Sequence, residues 1–283
     1  MFVCSECSAR FDGYTSKCTA CGGMYSLEDD ARPAPVVASV SSNGTVVHRP
    51  RRERLRDDVP ERPPMTSTGL PSVDLVLGGG IALGAACVYL VGGFPGSGKT
   101  TFAFKVADQI PRTAFFALLS EGDRQRWDEL GKRTGLAREV DFVFVERLDD
   151  ILAEVEASKP PLAIIDQLHA IEDEGGALAG ALMASLRRVI AVAQSTRTTF
   201  LLLAEREKAG GTIKGLGSMQ HKVDCTLFFE QRGEVGSMPP NDSARRWMRT
   251  TKNRFALDDL HRATELVLGP RGWEEPPPPK LDS

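Results

Sequence analysis

Eight consecutive residues carry the clearest chemistry in this chain: Gly93-Phe94-Pro95-Gly96-Ser97-Gly98-Lys99-Thr100. They match G-x-x-x-x-G-K-[ST] without a gap, the pattern of a phosphate-binding loop. In such a loop the glycines let backbone N–H groups converge on a β-phosphate beside a helix N-terminus. Lys99 supplies a point charge to the β and γ oxygens. The Thr100 hydroxyl is a ligand for Mg²⁺, and Thr101 continues the nucleotide-binding segment. The competing reading is a Gly-rich turn that merely precedes Lys-Thr.

Two carboxylates fit around that loop. Leu162-Ala163-Ile164-Ile165-Asp166 is an apolar strand ending in an acid, which places Asp166 beside the metal. Glu121 follows the strand expected over Thr113–Leu119, at the carboxyl edge where ligands of open α/β sheets sit. It is the expected general base or water-positioning group, acting with Lys99 and Asp166. Its alternative role is a helix N-terminal acid in Ser120-Glu121-Gly122-Asp123.

Cys4-x2-Cys7-x10-Cys18-x2-Cys21 is a second constellation. Two C-x-x-C knuckles joined by a short loop can supply four thiolates to a tetrahedral Zn²⁺. With all four positions used by protein ligands, the site is structural, and a unit this small needs the metal to fold. A redox role for C-x-x-C is the alternative. Cys87 and Cys225 stand singly in apolar, strand-like contexts and read as small buried hydrophobes.

These groups must be positioned by regular elements. Strand-like runs at Ala86–Gly92, Thr113–Leu119, Asp141–Val145, Leu162–Ile165, Phe200–Ala204 and Asp224–Glu230 alternate with helix-like ones. The helical runs are Thr100–Gln109, Asp123–Thr134, Leu148–Ala157 and Ala177–Ala193. This β-α-β-α order predicts an α/β fold, a mostly parallel sheet with helices on both faces. Residues 1–27 form the Cys-rich unit, and the Pro-rich, mixed-charge stretch 28–65 reads as a flexible linker. The regular domain spans 66–272, and the Pro-rich 273–283 reads as a disordered tail.

Composition narrows the class. The 283 residues are 41% hydrophobic and 26% charged, enough to bury a real core. The net charge of −3 gives no global positive field, so contact with nucleic acid has to come from local basic segments. No apolar run is long enough to span a bilayer, and Met1-Phe2-Val3-Cys4 does not open a secretory leader. A cytoplasmic protein without membrane contact is expected.

Taken in order, four segments resemble the bacterial RadA (Sms) family. The two knuckles, Cys4-Ser5-Glu6-Cys7 and Cys18-Thr19-Ala20-Cys21, are similar to that family's zinc finger. Ser67-Thr68-Gly69 through Asp74 to Ile81 looks like the segment that precedes the phosphate loop in RadA and in KaiC-like ATPases. The loop itself follows. Lys252-Asn253-Arg254-Phe255 then resembles the family's KNRFG motif. The resemblance covers about residues 3 to 268. It implies a RecA-like P-loop ATPase, preceded by a small zinc ribbon, that uses ATP and Mg²⁺.

The resemblance also implies a homo-oligomeric ring acting on single-stranded or branched DNA, in branch migration during recombinational repair, alongside a recombinase. Lys252 and Arg254 take the family motif's link to nucleotide state, DNA or the neighbouring subunit's γ-phosphate. Read from the residues alone, they lie on a basic, alternating strand that a solvated face would also show. Lys208 and Lys214 lie in a Gly-rich basic segment where a RecA fold carries a DNA loop. A plain surface loop is the alternative there.

The chain departs from the family at several points. The Lon-like domain that follows in RadA is not expected here, and Ala256 replaces the motif's glycine. Ala204-Glu205-Arg206-Glu207-Lys208 stands where the family has Gly-His-Val-Thr-Lys, putting carboxylates close to a phosphate site. Two other readings therefore stay open. One is a KaiC-like nucleotide-gated assembly ATPase, and the other is a regulatory paralogue of a full-length enzyme.

Overall fold

The computed structural model describes residues 2–4, 7–12, 18–22, 27–29, 38–40, 46–48, 63–118, 124–138, 140–166, 179–205, 221–231, 244–255 and 263–276. The chain divides into two compact units, Met1–Arg62 and Pro63–Ser283.

In the first unit, β1 (Phe2–Cys4) pairs antiparallel with β2 (Arg10–Phe11) on one side and β3 (Leu27–Asp29) on the other. A separate antiparallel pair joins β4 (Ala38–Val40) to β5 (Val46–His48). The linker expected over 28–65 therefore carries strand pairing. The reason is local: these short runs contain the β-branched residues Val40, Val46 and Val47, which favour extended backbone.

The second unit opens with β6 (Met65–Thr66), α1 (Pro71–Leu77) and β7 (Ile81–Ala82), with β6 and β7 paired antiparallel. Asp74 explains why the segment before the phosphate loop folds as it does. Its carboxylate accepts both the Thr68 N–H, at 2.8 Å, and the Thr68 hydroxyl, at 2.7 Å. That closes the turn leading into α1.

Then follow β8 (Val88–Gly93), α2 (Lys99–Gln109), β9 (Ala114–Leu118), α3 (Arg124–Thr134), β10 (Asp141–Val145), α4 (Leu148–Ser158), β11 (Leu162–Ile165), α5 (Ala179–Thr196) and β12 (Thr199–Glu205). The chain ends with β13 (Cys225–Gln231), β14 (Arg245–Asn253), β15 (Ala263–Gly269) and β16 (Gly272–Glu274). Strands β8 to β16 make one nine-stranded sheet in the order β10-β9-β11-β12-β8-β13-β14-β15-β16. From β10 to β13 every pairing is parallel, and from β13 to β16 every pairing is antiparallel. The fold is α/β with a mostly parallel central sheet, as the alternation predicts.

The two faces of the sheet bury separate apolar clusters, set by the two-residue period of a strand. Tyr89, Val91, Ile164, Leu201 and Leu203 face one cluster with α1, α2 and α3. Val88, Leu90, Ile165, Phe200 and Leu202 face the other with α4 and α5. The first cluster is rich in aromatic contacts. Trp127 of α3 packs against Phe115 of β9 and Phe142 of β10, with ring centroids 5.5 and 5.9 Å apart.

The first residues of the tail expected over 273–283 form a strand. Gly272–Glu274 pairs with β15, and Trp273 is buried at 3% exposure. Hydrophobic burial of the indole and strand pairing outweigh the Pro-rich composition that follows it.

Candidate functional site

The Gly93–Thr100 loop, expected to bind phosphate, lies where the central strand of the sheet runs out. All six residues of β8, Val-Tyr-Leu-Val-Gly-Gly, are buried, and α2 starts at Lys99. Phe94 to Gly98 make the turn between them, tied by a bond from the Ser97 N–H to the Phe94 carbonyl at 3.0 Å. Gly96 and Gly98 have φ of 75° and 93°, which only glycine adopts without strain. Gly93 needs its hydrogen for a second reason: a β-carbon there would lie 2.4 Å from the Ser97 hydroxyl.

Lys99 folds back over this turn. Its buried ammonium donates to the carbonyls of Gly93 and Phe94 at 2.9 and 3.1 Å. Burial pushes its pKa below the ordinary lysine value, while the carboxylates of Asp166 and Glu205 pull it back up. A positive charge is thereby held inside the curl of the loop.

Asp166 stands one residue beyond β11, only 3% exposed, with its N–H bonded to the Phe116 carbonyl of β9 at 3.1 Å. Its carboxylate accepts the Thr100 hydroxyl at 2.9 Å. The helix and the strand end thus present a hydroxyl and a carboxylate side by side, a hard-oxygen pair suited to Mg²⁺. Glu205 closes the other flank. It ends β12 in register with Gly93, next to the loop.

Trp273 is a neighbour the sequence does not signal. Its indole N–H donates to the Gly98 carbonyl at 2.9 Å, and its ring stacks on Phe229 at 4.9 Å. Ser97 adds a polar atom inside the loop: its hydroxyl is buried without a hydrogen-bond partner. Glu121, Lys208 and Lys214 lie outside the described residues.

Lys252 and Arg254 do not join this site. In one chain they sit at the opposite edge of the sheet, because β14 runs antiparallel to β13. Lys252 donates to the carbonyls of His221 and Val223 at 2.7 and 2.6 Å. Arg254 pairs with Asp224 at 2.8 Å, and the same Asp224 carboxylate accepts the Val88 N–H, at the start of β8, at 2.9 Å. Asn253 donates to the Val76 carbonyl of α1 at 3.1 Å, and Phe255 stacks on Tyr89 at 5.7 Å. The five intervals of β8 put roughly 17 Å of strand between this knot and the loop. Other cations of the alternating stripe are also paired within the chain, Arg245 with Glu265 and Arg249 with Glu230.

The four N-terminal cysteines converge. Their sulfurs all lie within 4.8 Å of one another, with Cys4–Cys21 and Cys7–Cys18 separated by 3.7 Å. A tetrahedral zinc with bonds of about 2.3 Å requires sulfur–sulfur edges of about 3.8 Å. The thiols fit that ion and fit a zinc ribbon.

The chain is 28% identical over 267 residues to DNA repair protein RadA of Pseudomonas aeruginosa, covering 92% of this chain and 56% of that protein. It is 27% identical over 272 residues to DNA repair protein RadA of Escherichia coli, with the same coverage of each. With DNA repair protein RadA of Synechocystis sp. it shares 27% over 303 residues, 94% of this chain and 57% of the relative. The chain is similar to DNA repair protein RadA.

No family model matches it. The chain spans about half the length of the RadA proteins it matches. Of the four segments on which the resemblance to RadA rests, the segment before the loop, the loop itself and the Lys252–Phe255 motif fall within described residues, while Ser5 and Glu6 of the first cysteine knuckle lie outside them. Among the described residues no helix is long and apolar enough to cross a membrane.

Proposed function

We propose that this chain is an ATP-hydrolysing DNA repair protein of the RadA kind. The observation that carries the reading is the pairing of Thr100 with Asp166 beside a loop that encloses the Lys99 ammonium. In this reading Gly93 to Thr101 cradle the phosphates of ATP, Lys99 neutralises them, and Thr100 with Asp166 hold Mg²⁺. A Mg²⁺ held by Thr100 and Asp166 would supply charge neutralisation at the phosphates. Glu121 orients the attacking water. Cys4, Cys7, Cys18 and Cys21 bind a structural Zn²⁺.

The nucleic-acid side of the proposal is single-stranded or branched DNA, contacted through Lys208 and Lys214, with branch migration as the work performed. A ring of identical subunits, working beside a recombinase, completes the reading. Lys252 and Arg254 serve it at a subunit boundary, since within one chain they lie far from the loop.

The test is ATP turnover with and without single-stranded DNA, with Lys99→Ala as control. Turnover stimulated by DNA and lost in Lys99→Ala supports the reading. Turnover indifferent to DNA, with no salt-sensitive DNA binding, would favour a nucleotide-gated assembly switch instead. The internal pairing of Arg245, Arg249 and Arg254 is the observation that keeps this second reading in view.

A further inference from the structure

The Gly98 carbonyl accepts two hydrogen bonds. One comes from the Phe102 N–H at 2.9 Å, the first bond of α2. The other comes from the indole N–H of Trp273, also at 2.9 Å, from a strand 175 residues further along the chain. Gly98 is the last residue of the loop, and its φ of 93° is the left-handed turn that admits the helix. The indole fills the space a side chain would need there: a β-carbon on Gly98 would lie 2.5 Å from the ring.

The peptide joining Gly98 to Lys99 is planar and trans, so its N–H points opposite to its C=O. A donor that holds the Gly98 oxygen therefore fixes the direction of the Lys99 N–H, aiming it away from Trp273. That N–H belongs to the set that a phosphate loop directs at its anion. Hydrogen bonding at the oxygen end also polarises the peptide and makes its N–H a stronger donor.

Trp273 is itself held firmly. Its ring stacks on Phe229 at an interplanar angle of 22°, and Phe229 is in register with Gly93, the loop's first residue. Both ends of the loop are thus braced by the same aromatic pair.

We propose that Trp273 is a positioning residue for phosphate binding: its indole N–H orients the Gly98–Lys99 peptide so that the Lys99 N–H meets the anion. The proposal rests on the reading of Gly93–Thr101 as a nucleotide site. It makes the antiparallel wing, β14 to β16, part of that site and not an appendage of the sheet. It also makes Trp273 an intrinsic reporter of nucleotide occupancy.

The experiment is Mg²⁺–ADP titration by calorimetry on the full chain, comparing wild type, Trp273→Phe and Trp247→Phe. Phenylalanine keeps an aromatic ring for stacking on Phe229 and deletes the donor together with part of the indole's bulk. Trp273→Phe is expected to bind ADP about fivefold to tenfold more weakly, the size of one lost hydrogen bond to an oriented peptide. Trp247→Phe is expected to match wild type. The second readout uses wild type labelled with 5-fluorotryptophan, in which the chain's three tryptophans give separate ¹⁹F resonances.

Trp127→Phe and Trp247→Phe assign two of those resonances and leave Trp273 by elimination, whether or not Trp273→Phe folds. The Trp273 resonance is expected to shift as ADP saturates the protein, and the Trp247 resonance is not. Unchanged affinity in a folded Trp273→Phe, or an unmoved Trp273 resonance, overturns the inference while leaving the nucleotide site standing. Wild type that binds no ADP overturns the nucleotide site and the inference with it.

Discussion

The hydroxyl of Thr100 donates to the carboxylate of Asp166 at 2.9 Å, across 66 residues of sequence and between the first turn of a helix and the end of a strand. A hydroxyl and a carboxylate side by side are hard-oxygen donors of the kind a divalent cation takes. Removing either oxygen should be felt in chemistry more than in folding.

Asp166→Asn keeps the shape and an acceptor for Thr100 but removes the charge. Magnesium-dependent ATP turnover is expected to fall on the order of 100-fold, the scale of losing one aligned electrostatic group. The thermal midpoint should barely move. Steady-state turnover against Mg²⁺ concentration reads this out, and unchanged turnover in Asp166→Asn would mean the metal is held elsewhere.

Lys99 is a buried cation, and its pH behaviour follows from that. Burial lowers its pKa, so above that lowered value the folded chain has lost a proton that the unfolded chain still carries. Stability then rises with pH up to the ordinary lysine range, because the unfolded state binds more protons there. Lys99→Met removes the cost of the buried charge but strands the carbonyls of Gly93 and Phe94, effects of opposite sign. The variant is expected to unfold within about 1 kcal/mol of wild type while losing nucleotide binding. Calorimetric unfolding beside an ADP titration separates the two.

Glu205 flanks the loop with a negative charge. Glu205→Gln is expected to tighten Mg²⁺–ADP binding about fivefold, the equivalent of a ~1 kcal/mol Coulomb term across a solvated contact. The gain should shrink as salt is added. Weaker binding in Glu205→Gln would instead make the carboxylate a ligand.

The six cysteines should separate into two groups in a thiol titration. Burial, helped by the Asp224 carboxylate, pushes Cys87 up to about 12, and burial pushes Cys225 up as well. Neither is a thiolate near neutrality, so both stay silent to a disulfide reagent until denaturant is added. The four clustered thiols react as soon as a chelator removes zinc. Reaction of Cys87 in the folded chain would contradict its burial.

Asp224 braces the start of β8 by accepting the Val88 N–H and pairing with Arg254. Asp224→Ala leaves a strand N–H unsatisfied and should cost about 2–3 kcal/mol. Arg254→Ala should cost at most about 1 kcal/mol, since its guanidinium is largely exposed. Urea unfolding of the two variants checks the order. Equal losses would place the stability in the ion pair and not in the Val88 bond.

Much of this protein is written in short-range signals. The loop from Gly93 to Thr100 needs glycine at fixed positions and Lys-Thr after them, so eight adjacent residues disclose it. The two C-x-x-C knuckles signal four converging thiols in the same way, and the structure brings their sulfurs within 4.8 Å of one another. Apolar runs such as Leu162–Ile165 and Asp141–Val145 have the length and composition of strands, and the structure places strands on those same residues. Hence the α/β class was legible from alternation alone.

What the tertiary structure decided is who meets whom across the sheet. Nothing in Gly272-Trp273-Glu274 announces a neighbour of the phosphate loop, because the run is too short to show a period and prolines follow it. Pairing with β15 carries its indole under Gly98. The alternation of Arg245–Lys252 likewise reveals a strand but not its direction. Running antiparallel beside β13, that strand delivers Lys252 and Arg254 to the edge of the sheet away from the loop. Local residue types set each element, whereas strand order and direction depend on burying both faces of one sheet at once, a condition only the folded chain satisfies.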